Sequence, residues 1–250
     1  MGRFAALIPV YNCEGRVGAV VEGVRRFVPD VLVIDDGSTD SSGRVARAAG
    51  ARLVAHAENL GKGPAIRTGL AVLLGEDFSH VLMLDADGQH DPRDVPNFLG
   101  AAEDADLITG NRLWNREAIP ARRFWTNFIG TRALQLMTGF PLEDSQCGFR
   151  LVSASFLRRM GLVGNRYAVD TEIIVRAGKL GARFAHVPVR VIYDGAVSHY
   201  RPLRDTVHIV LSAARFKVDE SDLRADPGAE AWRRRVAAPQ VLDPLPEGSA

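Results

Sequence analysis

The chain has 250 residues, of which 46% are apolar and 24% are charged, and its formal net charge is +1. This length permits one large α/β domain or two small ones. The small net charge argues against a nucleic-acid partner, which usually requires a strong basic excess. The two cysteines, Cys13 and Cys147, have no metal-site spacing and form no disulfide framework, which favours the reducing cytoplasm. No stretch reaches the roughly 18 apolar residues of a membrane span, so any membrane contact is expected to be peripheral or through a partner subunit.

The first hundred residues alternate apolar runs with segments of helical spacing, and a short polar turn follows each run. The apolar runs predict strands at residues 4–10, 31–34, 52–56 and 81–84. The predicted helices are residues 15–27, a segment capped by Ser38, Thr39 or Asp40 that ends near Gly50, residues 64–74 and residues 92–102. This order is typical of an α/β fold with a mostly parallel central sheet flanked by helices. The ligand crevice of such a sheet lies at the carboxyl ends of its strands.

The second half of the chain continues this pattern less regularly. Strands are predicted at residues 105–109, 184–187 and 189–192, with Pro188 between the last two, and a short strand or turn at 151–152. Helices are predicted at residues 124–138, 169–180 and 207–218. From about Asp219 the composition shifts to Asp, Glu, Pro, Gly and Ala, which is typical of disorder. We therefore expect a single domain at 1–218 and a flexible tail at 219–250.

The stretch at residues 81–92, VLMLDADGQHDP, is the strongest single signal of chemistry. Its apolar residues run directly into Asp85, Asp87 and Gln89. Carboxylates at the end of a buried strand are costly without a cationic partner. Hard oxygen ligands of this kind suit Mg²⁺ or Mn²⁺, and these ions in turn suit a diphosphate. Because so short a motif also matches by chance, a solvated acidic turn remains an open alternative.

A second acidic pair, Asp35 and Asp36, follows the second predicted strand and should converge with Asp85 and Asp87 on one crevice. One pair can accept hydrogen bonds from a base or ribose. The other can hold a divalent metal that acts as a Lewis acid on a departing nucleotide diphosphate. Lys62, in a glycine-rich turn, can add phosphate contacts, although that turn lacks the spacing of a P-loop.

Six sequence blocks, in this order, resemble family 2 glycosyltransferases of the GT-A fold, and specifically the dolichyl- and polyprenyl-phosphate sugar synthases. The blocks are IPVYNCE at 8–14, VIDDGSTD at 33–40, ENLGKGPAIRTG at 58–69, LDADGQHDP at 84–92, GNR at 110–112 and DSQCGFR at 144–150. The resemblance covers roughly residues 4–205, and DGQHDP and NLGKGPA point to the polyprenyl-phosphate branch. It implies a Rossmann-like domain with a glycosyltransferase active site, in an enzyme that contacts the membrane peripherally.

The resemblance implies a role for individual positions of this chain. The implied nucleotide-binding residues are Pro9, Tyr11, Glu14, Asp35, Asp36, Lys62 and Asp85. Asp36 would meet the base, and Asp85 would lie by both the ribose and the metal. The implied metal ligands are Asp85, Asp87 and Gln89, and the implied catalytic residues are Asp87, Arg112, Arg123 and Arg150. The three arginines would contact the acceptor phosphate or the donor diphosphate, and His199 and Arg201 would close on the diphosphate. The family often has Glu where Cys13 stands, so the role of Glu14 is left open.

The acceptor decides which mechanism is needed. A polyprenyl phosphate is already an anion near neutral pH and requires positioning rather than a base, whereas a hydroxyl must lose a proton to one. The resemblance therefore implies direct, inverting displacement from a GDP- or UDP-linked sugar to give a β-linked lipid phosphosugar. The alternatives are a hydroxyl acceptor, with Asp170 or Glu172 as the base, and a non-catalytic subunit that binds a nucleotide-sugar. A nucleotidyltransferase is disfavoured, because no glycine-rich basic loop follows the first strand.

Overall fold

A computed structural model of the chain describes residues 2–164, 168–192 and 240–242. The predicted helix at 207–218, and His199 and Arg201 with their predicted phosphate contacts, lie outside these residues. The strands are Phe4–Val10 (β1), Asp30–Asp35 (β2), Arg52–Ala55 (β3), His80–Met83 (β4), Leu107–Asn111 (β5), Arg150–Ser153 (β6), Phe184–Pro188 (β7) and Gln240–Leu242 (β8). The α-helices are Glu14–Arg25 (α1), Ser42–Ala48 (α2), Lys62–Leu73 (α3), Val95–Gly100 (α4), Ala121–Thr138 (α5), Ala154–Arg159 (α6) and Ala168–Lys179 (α7).

The strands form one sheet in the order β7-β5-β6-β4-β1-β2-β3-β8. β1 pairs in parallel with β2 and β4, β2 with β3, and β5 with β7, whereas β6 and β8 run antiparallel to their neighbours. The register places Val10 opposite Asp35, so β1 and β2 end side by side. The predicted mostly parallel sheet flanked by helices is confirmed.

Apolar side chains cover both faces of the sheet. Alternate residues of a strand point to opposite faces, and in β1 Leu7 belongs to the core under α3 and α7, while Ile8 belongs to the core under α1 and α4. Both side chains are fully buried. Gly69 lets α3 approach closely, because a Cβ at that position would overlap Leu7 Cδ1. This packing fixes the start of α3 beside the ends of the central strands.

Several element boundaries differ from the prediction for identifiable reasons. The predicted helix at 92–102 is a 3-10 turn at Pro92–Asp94 followed by α4, because Asp91 accepts a hydrogen bond from Arg93 N and fixes the turn. β5 extends through Gly110, where pairing with β7 and the bond from Gly110 N to Phe149 O override the low strand propensity of glycine. The predicted strand after Pro188 is reduced to an isolated bridge between His90 and Val191.

The described part of the predicted flexible tail is a strand. Gln240–Leu242 (β8) pairs antiparallel with β3, at the opposite edge of the sheet from β7. An edge strand otherwise exposes unpaired backbone groups, and β8 satisfies those of β3. The tail at 219–250 therefore contributes three residues to the sheet, and the division at residue 218 stays a prediction.

Candidate functional site

The ends of β1, β2 and β4 bring polar loops together at one edge of the sheet. Lys62, the first residue of α3, places Nζ 2.7 Å from Asp85 Oδ1 just after β4. Arg16 of α1 donates from Nη1 to the Asp87 carbonyl oxygen at 2.8 Å. The starts of two helices therefore contact the acidic stretch, as expected for a crevice at the carboxyl ends of parallel strands.

The acidic stretch forms a tight turn. Asp87 Oδ1 accepts a hydrogen bond from Gln89 N at 3.0 Å, and Gly88 between them has φ +73°, a left-handed conformation that glycine adopts without strain. Burial and the negative charge of Asp85 raise the pKa of the Asp87 carboxyl. The negative charge of this turn is therefore incompletely compensated, and an added cation would stabilise it.

The oxygen donors of the turn fit a divalent cation that is completed by a substrate. Among the described residues, no group of three or more His, Cys, Asp or Glu side chains is arranged to hold a metal alone. The Asp87 carboxylate and the Gln89 amide are hard oxygen donors. Mg²⁺ commonly uses one or two protein carboxylates together with substrate phosphates. The geometry thus fits a metal shared with a diphosphate better than a self-sufficient structural metal site.

Asp85 belongs to a chain of alternating charges. Lys62 Nζ lies 2.7 Å from Asp85 Oδ1 and 3.0 Å from Asp170 Oδ2. Arg150 is fully buried, and it places Nη2 3.3 Å from Asp170 Oδ1 and donates from Nη1 to the Asp170 carbonyl at 2.8 Å. Burial alone would lower the pKa of Lys62, but the charges of Asp170 and Asp85 more than offset it and raise that pKa. Two cations and two carboxylates thus neutralise one another.

Asp36 anchors the loop that precedes α3. Its Oδ1 lies 2.7 Å from His56 Nδ1 and accepts from Leu60 N at 3.1 Å, while its Oδ2 accepts from Gly61 N at 2.7 Å. His56 is itself fixed through Nε2, 2.9 Å from Thr68 Oγ1. Because the buried carboxylate has both oxygens engaged, it holds the turn before Lys62. The predicted contact of Asp36 with a nucleotide base stays a prediction.

Glu14 also has a partner within the fold. Its Oε2 accepts from Ser41 N at 2.9 Å, and Asp40 Oδ2 accepts from Glu14 N at 3.1 Å. The two loops that follow β1 and β2 are therefore bound to each other reciprocally. Glu14 thus helps to fix these loops, and its predicted role in the nucleotide pocket stays a prediction.

The remaining predicted nucleotide residues lie at the rim. Tyr11 has 46% of its surface exposed, and Pro9 is half-buried near the end of β1. Asp35, the last residue of β2, is half-buried and accepts from Ser38 N at 2.9 Å. These side chains leave an accessible edge next to the acidic turn.

Residues 5–161 match the family model described as "Glycosyl transferase family 2". The chain belongs to glycosyl transferase family 2. The undecaprenyl-phosphate mannosyltransferase of Micrococcus luteus is 29% identical to this family 2 chain over 203 residues, which cover 76% of this chain and 84% of the relative. The UDP-N-acetylglucosamine–dolichyl-phosphate N-acetylglucosaminyltransferase of Methanococcus voltae is 28% identical over 215 residues, with 75% and 84% covered.

The fold of this glycosyltransferase is shared with solved structures. Glucosyl-3-phosphoglycerate synthase of Mycobacterium tuberculosis, in complex with Mn²⁺, UDP and glucosyl-3-phosphoglycerate, superposes with a TM-score of 0.64 at 21% identity. The match covers 88% of this chain and 82% of the synthase. The predicted GT-A arrangement is confirmed.

Among the described residues of this glycosyltransferase, two of the arginines predicted to contact phosphate are paired with carboxylates. Arg112 donates to Asp144 from Nε at 2.7 Å and from Nη2 at 2.9 Å, and Arg150 is buried against Asp170. The sequence could not show these partners, because they are 32 and 20 residues away, and the phosphate contacts of both arginines stay predictions. Arg123 lies half-buried in the first turn of α5, and its role stays a prediction.

The two predicted bases of the hydroxyl-acceptor alternative are both engaged. Glu172 is fully buried and accepts from Val163 N at 2.9 Å, from Gly164 N at 2.6 Å and from Arg176 Nε at 2.8 Å. It fixes the loop before α7, and its role as a base for a hydroxyl acceptor stays a prediction. Asp170 is held between two cations, as described above.

Two further residues contact the acidic turn. Arg16 contacts the Asp87 carbonyl, and its only sequence signal is its nearness to the end of the first strand. His90 is buried against the Phe149 ring, with centroids 5.2 Å apart, and burial lowers its pKa to about 4. The neutral imidazole therefore supports the turn from beneath, with Nε2 4.0 Å from Asp85 Oδ2.

Proposed function

We propose that this glycosyltransferase moves a sugar from a nucleotide-diphosphate sugar to a polyprenyl phosphate, with inversion and with Mg²⁺ or Mn²⁺. The observation that carries the proposal is the oxygen-rich turn of Asp87 and Gln89 at the carboxyl edge of the sheet, in a chain that matches the family 2 model. A phosphate acceptor is further supported by Asp170 and Glu172, since both are bound to cations. An acceptor that is already an anion does not need either of them as a base.

The proposed chemistry is a direct displacement. An oxygen of the acceptor phosphate attacks the anomeric carbon from the side opposite the diphosphate, and the bond from that carbon to the diphosphate oxygen breaks. Asp87 and Gln89 would hold the metal, and the bound ion would offset charge on the leaving diphosphate. Tyr11, Pro9 and Asp35 form the accessible rim on which we place the nucleotide. No proton has to be removed from the acceptor.

The donor is proposed to be a GDP- or UDP-linked sugar, with UDP as the first to test. The relative from Methanococcus voltae is named for UDP-N-acetylglucosamine, and the solved synthase contains UDP and Mn²⁺. A nucleotide that binds the native state raises the melting temperature by mass action. A thermal-shift panel of UDP, GDP and their sugar conjugates with Mn²⁺ or Mg²⁺ therefore identifies the donor.

The acceptor is tested with two lipids that differ by one group. We expect transfer to a short-chain polyprenyl phosphate in detergent and none to the matching polyprenol, which lacks the phosphate. The product should be the β-linked phosphodiester. Equal transfer to polyprenol would support the hydroxyl-acceptor alternative, and metal-dependent donor binding without transfer or donor hydrolysis would support the non-catalytic one.

Membrane contact is proposed to be peripheral, on the cytoplasmic face. No α-helix among the described residues has both the length and the apolar character to cross a bilayer. Trp125, Ile129 and Leu136 of α5 are exposed by 48%, 58% and 87%. Arg116 places its guanidinium 5.5 Å from the Trp125 ring centroid. Aromatic and basic side chains of this kind suit an interface with anionic lipid, so the chain should float with vesicles that contain phosphatidylglycerol and not with purely zwitterionic ones.

A further inference from the structure

Side-chain charges connect α7 to the acidic turn. Lys62 Nζ bridges Asp85 Oδ1 at 2.7 Å and Asp170 Oδ2 at 3.0 Å, and the Lys62 and Asp170 side chains are each 16% exposed. Asp85 remains 33% exposed, so it is the member of this chain of charges that faces the crevice. Whatever fixes Lys62 therefore also fixes the carboxylate next to the proposed metal ligands.

Asp170 has the properties of an anchor for Lys62. A lysine has a flexible four-carbon stem and acts as a point charge, so a single partner does not define its position. Asp170 gives it a second partner, and Arg150 immobilises Asp170 through both the carboxylate, at 3.3 Å, and the carbonyl, at 2.8 Å. Arg150 also donates to Cys147 O at 2.7 Å, which ties the same unit to the loop after α5.

The backbone opposite Lys62 leaves Asp85 little room. A Cβ at Gly148 would lie 2.5 Å from Asp85 Oδ2 and 3.4 Å from Lys62 Nζ. Asp85 is thus confined between a backbone surface and an ammonium that Asp170 holds. A change at Asp170 should move Lys62, and Asp85 should follow it.

We infer that Asp170 is a positioning residue for the nucleotide and metal end of the site, acting through Lys62 on Asp85, and that it is not a general base. The inference rests on the proposed function, because it concerns how that function's metal and nucleotide are held. Helix α7 would therefore act on the binding of the nucleotide-sugar donor and its metal, and not on the acceptor.

Asp170→Asn tests the inference through binding, without turnover. Loss of a group that orients a metal ligand or its neighbour typically costs 10–100-fold in metal affinity. We expect the Mn²⁺-dependent affinity for UDP or GDP, measured by calorimetry on the full chain, to fall about tenfold or more. Glu172→Gln is the matched control, because it removes the charge of a buried carboxylate on the same helix that contacts a different loop. It should lower the melting temperature and leave that affinity within about twofold of wild type.

A double-mutant cycle with Asp85→Asn shows whether Asp170 acts through Asp85. If it does, Asp170→Asn should reduce the affinity of wild type much more than that of the Asp85→Asn variant, since coupled residues are not additive. Equal effects in both backgrounds would overturn the inference. If Asp170→Asn does not fold, Asp170→Ser, in which water can occupy the vacated space, is measured in the same cycle.

The remaining outcomes separate the competing roles. Unchanged Mn²⁺-dependent nucleotide affinity with lost transfer would identify Asp170 as a base and overturn the inference. Affinities that fall together in Asp170→Asn and Glu172→Gln, in proportion to the loss of melting temperature, would reduce Asp170 to a structural role. A wild-type chain that binds neither UDP nor GDP with Mn²⁺ or Mg²⁺ would overturn the proposed function, and this inference with it.

Discussion

The Lys62 ammonium lies 2.7 Å from Asp85 Oδ1, so the first carboxylate after β4 is neutralised by the first residue of α3. Asp87, two residues later, contacts the backbone of its own turn through Gln89 N. The two carboxylates therefore have different roles. Asp85 is part of a neutral network, and Asp87 carries the charge that a metal would balance.

Replacing Asp87 with asparagine should separate function from stability. Transfer should fall at least about 100-fold, because loss of a direct ligand should exceed the 10–100-fold typical of outer-shell partners. The melting temperature of the metal-free protein should rise, because burial and the charge of Asp85 raise the Asp87 pKa and so disfavour its ionised form. Transfer assays with Mn²⁺ and melts in EDTA measure both effects. The exposed Asp104→Asn should change neither, and retained transfer by Asp87→Asn would contradict the metal assignment.

Alanine substitutions of the adjacent residues Asp35 and Asp36 should affect different properties, nucleotide binding for Asp35 and stability for Asp36. Asp36→Ala removes the charged acceptor of the part-buried bonds from Leu60 N and Gly61 N, and a hydrogen bond to a charged group typically contributes about 1.5–3 kcal/mol. It should therefore lower the free energy of unfolding in urea by several kcal/mol. Asp35→Ala removes one bond, to Ser38 N, and should affect nucleotide binding more than stability. A larger loss of stability in Asp35→Ala would reverse the assignment of their roles.

The sheet and the place of its crevice could be predicted from the sequence. A strand buried on both faces gives a continuous apolar run, and β1, β2 and β4 each show one. Parallel pairing then determines that the polar residues after these runs meet at one edge. The position of Asp85 and Asp87 at this edge could be predicted from that reasoning alone.

The partners of the charged residues could not be predicted in the same way. Whether Arg112 faces a phosphate or Asp144 depends on a loop 32 residues away, which no local pattern identifies. Asp35 and Asp36 look equivalent in sequence, yet only Asp36 is buried, because the strand ends between them and its amide bonds back to Val10 O. Helix α7 shows the same limit, since its periodicity places Glu172 on the buried face without revealing the loop amides that it accepts.

The Arg112–Asp144 pair should give the protein part of its acid sensitivity. Burial alone would raise the pKa of Asp144, but the charge and hydrogen bonds of Arg112 more than offset it and hold that pKa below its usual range. A carboxyl with a depressed folded pKa contributes stability above its unfolded pKa of about 3.9, and this contribution is lost as pH falls through the folded pKa. Asp144→Asn should therefore cost about 3–5 kcal/mol at pH 7.

The pH profile distinguishes this pair from a generic packing defect. The difference in unfolding free energy between wild type and Asp144→Asn should shrink as pH is lowered below about 4. Asp106→Asn is the control, because its partner Arg183 is largely exposed and such pairs add little. Chemical denaturation at several pH values measures both variants. A difference for Asp144→Asn that stays constant with pH would show that lost packing, and not the ion pair, is responsible.

Arg16 should matter to the metal-dependent affinity for the nucleotide although it is not an expected ligand. It donates to the Asp87 carbonyl at 2.8 Å, and its stem lies beside Gly88, where a Cβ would be 3.7 Å from Arg16 Cδ. Arg16→Ala would free the turn that presents Asp87, so the Mn²⁺-dependent affinity for UDP or GDP should fall about tenfold. Arg26→Ala, an exposed arginine at the other end of α1, provides the same loss of charge without that contact. Equal affinities for the two variants would show that Arg16 acts only through long-range charge.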